Sequence, residues 1–134
     1  MTPVVAALDE EVELLWDGGL HDASLDRLEV DWSTRTCVFL FSDIDLGDDD
    51  GPRRARVVFD DFLFVSVDPP IVSPGRPQPD VGSPMIDAGR GVGGGVLATR
   101  PPHVPADHLL RWVFVEPWNG FIHVCARRAR LDWL

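Results

Sequence analysis

The first apolar residues of the chain recur at helical spacing. Val5, Leu8, Val12, Leu15 and Trp16 fall on one face of a helix, while Asp9, Glu10, Glu11 and Glu13 take the other faces. Thr2-Pro3 opens this helix, because a proline in the first turn has no donor to lose. Gly18-Gly19 stops it, since glycine readily adopts the left-handed cap. The pattern predicts one N-terminal helix that lays its stripe on a sheet.

After the glycines the period changes to two. Leu28, Val30 and Trp32 alternate with Arg27, Glu29 and Asp31, as in a half-buried strand. Ser33-Thr34-Arg35 turns the chain into Thr36–Phe41, which is apolar on both faces and belongs in a sheet interior. Arg54–Phe59 and Phe62–Val67 read as two β segments or one long strand, with a bulge or turn at Asp60-Asp61. Leu110, Trp112 and Phe114 alternate with Arg111, Val113 and Val115. Pro117-Trp118-Asn119-Gly120 then supplies a hairpin turn, and Phe121–Ala126 returns. Ala129, Leu131 and Trp133 carry an apolar face onward.

Between these β regions the composition shifts. Residues 68–108 hold nine of the 12 prolines and seven of the 12 glycines. Such a stretch excludes a helix and leaves only short pieces, Gly95–Thr99 among them, able to pair as strand. We read 69–108 as an inserted Pro/Gly-rich surface loop in one domain spanning 1–134. The fold class expected is α+β and mostly β: the N-terminal helix packed on an antiparallel sheet of about six strands.

Charge narrows the function classes. Acidic residues outnumber basic ones by 22 to 12, for a net charge of −10. That field repels a phosphate backbone and an anionic bilayer, so neither nucleic acid nor a membrane is an expected partner. It favours a basic protein partner. The N-terminus lacks the basic segment and long apolar run of a signal peptide, which points to the cytoplasm. Homo-oligomerisation stays open.

Candidate chemistry is sparse, and no catalytic residue, metal or cofactor is expected. His21-Asp22 suggests a metal-assisted hydrolase only if further ligands converge on it. Otherwise Asp22 caps a turn while His21 bonds nearby backbone. The acidic run Asp43, Asp45, Asp48, Asp49 and Asp50 has the composition of a calcium loop. Its glycines, however, put Ser42 or Leu46 at the first ligand position, and no closing glutamate follows. Gly89–Gly95 is glycine-rich but lacks the strand-before, helix-after setting of a phosphate loop, and reads as a flexible loop. His103 and His108 match no zinc spacing. His123 shares a strand face with Phe121 and Cys125 and reads as a core histidine satisfied by one hydrogen bond. Cys37 and Cys125 read as reduced core residues; a disulfide between them would need adjacent strands. Pairing Cys37 with His123 as nucleophile and base is the remaining catalytic option.

Three segments resemble a known group. Leu20-His21-Asp22-Ala23-Ser24-Leu25 is similar to the opening motif of the immunity protein 50 family. Arg56–Leu63 is similar to its mid-strand, and Phe121–Ala126 to its closing strand. The 69–108 loop departs from that family's compact pattern. The resemblance implies a binding protein that neutralises a bacterial toxin without turnover, His21 and Asp22 being motif residues. The acidic loop would steer a basic nuclease-type toxin, at an association rate raised roughly 10–10³-fold. The competing class is a structural β module that oligomerises through a sheet edge.

Overall fold

The computed structural model describes residues 10–69 and 84–134, and the backbone of 7–8. Six strands pair antiparallel in one sheet: β2 (Ser24–Asp31), β3 (Thr36–Ile44), β4 (Arg53–Val67), β5 (Ile86–Arg90), β6 (Leu109–Val115) and β7 (Gly120–Trp133). Their order is β2-β3-β4-β7-β6-β5. The mostly-β class with a short N-terminal helix is as the periodicities predict. A two-residue strand, β1 (Ala7–Leu8), adds a parallel pairing to Arg128 and Ala129 of β7. β7 is longer than β6, which ends opposite Ala126, and β1 takes the edge that β6 leaves free.

The helix is shorter than its apolar stripe suggests. It runs over Glu10–Leu14 (α1) and widens into a turn over Leu15–Gly19, where Asp17 and Gly18 leave helical geometry. Leu8 sits in β1, because an unpaired stretch of β7 offers backbone partners that a further helical turn would forgo. Val12, Leu15 and Trp16 are buried as the stripe requires. Thr2, Pro3 and Val5 lie outside the described residues.

The sheet curls until its two edges touch at one corner. Ser24 bridges Met85, and three backbone bonds flank the bridge: Asp22 N–H to Ile86 O (3.0 Å), Ile86 N–H to Ala23 O (2.9 Å) and Leu25 N–H to Pro84 O (3.0 Å). Beyond Leu25 the outer edge of β2 has no strand partner among the described residues. The concave face holds the core. Phe39, Phe41, Phe59, Val57 and Val124 are buried there, and the Trp16 ring lies edge-on to Phe41 (5.9 Å) and Phe59 (5.6 Å). Glu13 and Asp17 fasten the helix by ion pairs to Arg90, and Glu13 also reaches Arg111.

At Asp60-Asp61 the expected irregularity is present within one 15-residue strand. Asp61 has φ 52°, and the β4–β7 register shifts between Phe62 and Phe64. Phe59 and Phe62 are three residues apart yet both face the core, as do Ala126 and Ala129 opposite them. The bend therefore turns over both strands together.

The stretch read as a long loop carries more structure than its composition indicates. Ile86–Arg90 is a strand on β6, and Val96–Thr99 forms one helical turn (α2) where strand pairing was the expectation. β6 presents an open edge that β5 satisfies despite Gly89, whose missing Cβ leaves room for the Trp112 ring. Residues 70–83, within the same expected loop, lie outside the described residues.

Candidate functional site

The sequence-predicted residues fall in separate places. Asp43 stands near the end of β3 and the other four aspartates on the exposed β3–β4 loop that follows, and most are tied down locally. Asp43 accepts from the Ser24 hydroxyl (3.1 Å), Asp45 from the Gly47 amide (2.9 Å), and Asp48 from the Asp50 amide (3.3 Å). Arg53 pairs with both Asp48 and Asp50. Asp49 has no such partner among the described residues. The loop is thus a set of fixed carboxylates at the rim of the sheet.

His21 and Asp22 sit at the corner where the sheet edges meet. The exposed imidazole lies 3.6 Å from Asp22 and 3.5 Å from Asp87. It neighbours carboxylates, where a backbone partner was the expectation. Asp22 takes the left-handed region, φ 63°, and its amide bonds Ile86, so it serves the corner as a turn residue. The loop aspartates do not join this pair. Among the described residues no group of three or more His, Cys, Asp or Glu is placed to hold a metal ion.

Cys37 and His123 are not brought together. Cys37 belongs to β3 and faces the concave core, whereas His123 belongs to β7, beyond β4, and alternates with core-facing Ile122 and Val124 onto the opposite face. Both thiols are free and buried. Burial pushes Cys37 up to about 12, and burial aided by Asp107 pushes Cys125 up to about 11. Neither is a nucleophile at neutral pH, and the intervening β4 rules out the disulfide.

The most organised chemistry lies on that opposite, convex face, where sequence reasoning saw only loop. Trp112 of β6, Phe121 and His123 of β7 and Asp68 at the end of β4 share it, and the segment 91–99 lies across them. The glycines make the contact possible. A Cβ on Gly93 would stand 2.7 Å from the Trp112 and Phe121 rings, and one on Gly94 2.8 Å from Phe121. The segment read as flexible is packed flat against aromatic faces. The Gly93 amide donates to His123 Nε2 (3.1 Å), and the Val96 amide donates to Asp68 Oδ1 (3.3 Å). The Phe121 amide donates to Asp68 Oδ2 (3.1 Å), and Trp118 Nε1 donates to the Asp68 carbonyl (2.8 Å). His108, also in the expected loop, is largely buried with Nδ1 2.8 Å from Asp107, and that hydrogen bond holds the Asp107 carboxyl below its usual range.

His123 is fully buried and its state is set by this geometry. Because Nε2 accepts a hydrogen bond, the neutral ring carries its proton on Nδ1, which has no acceptor among the described residues. The single hydrogen bond predicted for a core histidine is the one to Gly93. Beside the ring, Asp68, Val96, Phe114 and Phe121 wall a cleft of about 460 Å³, apolar apart from Asp68, Thr99 and Asn119.

No family model matches this chain, and no curated protein or solved structure matches it. Among the described residues, no helix is long and apolar enough to cross a membrane.

The buried imidazole carries a pH consequence. Burial lowers the His123 pKa, and the Asp68 charge offsets this only in part. A histidine depressed in the folded state binds its proton more readily when unfolded, at a pKa of about 6.5. Its contribution to stability is whole above that value and is lost as pH falls through it towards the folded value. Thermal midpoints between pH 7.5 and 5.5 should fall more steeply for the wild type than for His123→Gln, which keeps an acceptor for Gly93 and does not titrate. Parallel curves would show that the ring does not govern this window.

Proposed function

We propose that this chain is a non-enzymatic binding protein of the immunity type, which captures a basic, nuclease-type toxin through its acidic surface. The observation that carries the reading is the end of β3 and the β3–β4 loop, where Asp43, Asp45, Asp48, Asp49 and Asp50 are all exposed. Bonds to backbone, Ser24 and Arg53 hold four of the five in place. Carboxylates fixed before encounter lose little freedom on binding, and their field accelerates association with a basic face. Asp26, which accepts from Ser42 (2.9 Å), and Glu29 extend negative charge along the neighbouring strand.

The test is to produce any secreted toxin domain found in a neighbouring reading frame and measure its association rate with this protein by stopped flow at low and high salt. With all five aspartates changed to asparagine, the low-salt rate should drop roughly 10-fold or more and lose its salt dependence. An unchanged rate would remove the loop as the steering element, and absence of binding by the wild type would remove the immunity reading.

A second reading has its own observation. The outer edge of β2 from Asp26 to Asp31 is unpaired among the described residues, as in a module that oligomerises by strand addition. A concentration-independent monomer in sedimentation would dismiss it.

A further inference from the structure

Asp68 is a charged group in an unusual position. Only 6% of the residue is exposed, yet its carboxylate meets two amide hydrogens and no cation among the described residues. A carboxylate withdrawn from water without a counter-charge is costly, and cores normally place a cation against it. Here the space beside it is the cleft on the convex face. Two aromatic rings of its wall, Phe114 and Phe121, lie 4.9 Å apart with their planes tilted by 51°. Ring faces attract cations, most strongly where water is excluded. Val96 adds apolar surface, while Thr99 and Asn119 supply polar groups at the wall.

We propose that this cleft binds a small organic cation: an ammonium group set against Asp68 and the Phe114 ring, beside Phe121, carried on an apolar body that covers Val96. The volume of about 460 Å³ lies within the range of sites for small molecules, as does an apolar wall with few polar groups. The net charge of −10 favours a cation over an anion in any site on this molecule. Gly95 is the enabling residue. A Cβ there would stand 1.8 Å from Asp68 Oδ2, so only glycine lets the segment approach while the carboxylate keeps its place in the wall. The site is independent of the acidic loop, and the two readings stand or fall separately.

The experiment uses the full chain and four probes: benzyltrimethylammonium, benzylamine, neutral benzyl alcohol and acetyl-lysine amide. Binding is followed by amide chemical shifts in ¹⁵N spectra. The two benzyl cations should move the amides of Val96 and Phe121 and saturate at concentrations about 10-fold or more below benzyl alcohol. Asp68→Asn should erase that difference between cation and alcohol. Should Asp68→Asn fail to fold, Phe114→Leu keeps apolar volume while removing one ring face. It should weaken benzyltrimethylammonium and leave benzyl alcohol unchanged. Equal responses to cation and alcohol, or no shift at Val96 and Phe121, would overturn the proposal. So would tighter binding of acetyl-lysine amide than of either benzyl cation, which would assign the cleft to a protein side chain.

Discussion

Phe59→Ala should lower the free energy of unfolding by about 3–5 kcal/mol, the range expected when a buried phenylalanine leaves a cavity that cannot collapse. Phe59 is fully buried on β4, the strand between β3 and β7. Its ring lies edge-on to Trp16 and near-perpendicular to Phe39, each at 5.6 Å. Removing it therefore unpacks the helix and the sheet together. Urea unfolding of the variant should show a lower midpoint with little change in slope. Leu63→Ala, on the same strand but about half exposed, should stay within about 0.5 kcal/mol of wild type. A Phe59→Ala loss below about 1 kcal/mol would mean that the ring is not a keystone of the core.

Gly95→Ala should cost about 3 kcal/mol or more, from two sources. The residue sits at φ 68°, ψ −145°, a region reserved almost wholly for glycine, where another residue costs about 1–3 kcal/mol. Its new Cβ would also stand 1.8 Å from Asp68 Oδ2, and Asp68 has little freedom to retreat because amides of Val96 and Phe121 hold its carboxylate. Gly91→Ala is the control. It shares a positive φ of 72° but meets nothing within 4 Å, so about 1–2 kcal/mol is expected. Hydrogen exchange at Val96 should quicken sharply in the first variant and little in the second. Similar exchange in both would show that the segment is not clamped at Asp68.

These two sites mark what was legible in the sequence and what was not. The alternation through Leu28–Val30 and Leu110–Val115 and the two-faced apolar run Thr36–Phe41 place strands correctly, because each buries one face against the same core. The stripe of Val12, Leu15 and Trp16 likewise predicts which helical face is buried, though not that Leu8 leaves the helix. That outcome depends on an edge of β7 lying over 100 residues away, and local periodicity has no access to it.

The convex layer was illegible for a different reason. Among the described residues of 69–108, proline and glycine content correctly forbids long regular elements, but composition does not distinguish a loose loop from one packed on rings. The signal was in the spacing: Gly93, Gly94 and Gly95 in sequence, opposite strands that carry Trp112 and Phe121. Small residues facing large rings indicate close approach as readily as flexibility. Asp68 was missed because an aspartate before two prolines reads as a turn, while its burial arises only once Gly95 lies on top of it. The sequence reads His123 correctly as buried with one hydrogen bond, though it lies on the convex face and not in the concave core. The position of its partner, Gly93, thirty residues earlier in the supposed loop, was not accessible.

The placement of β7 between β4 and β6, with β1 beside its far half, bears on how the molecule is made. As the polypeptide leaves the ribosome, β2, β3 and β4 can assemble as a meander, but one flank of β4 stays bare until Trp133 has been synthesised. β1 precedes its partner stretch of β7 by over 100 residues and cannot dock until that stretch has been made. Closure by such distant pairings is slow, so the nascent protein exposes a long, apolar strand flank, vulnerable to aggregation, until β7 has been made.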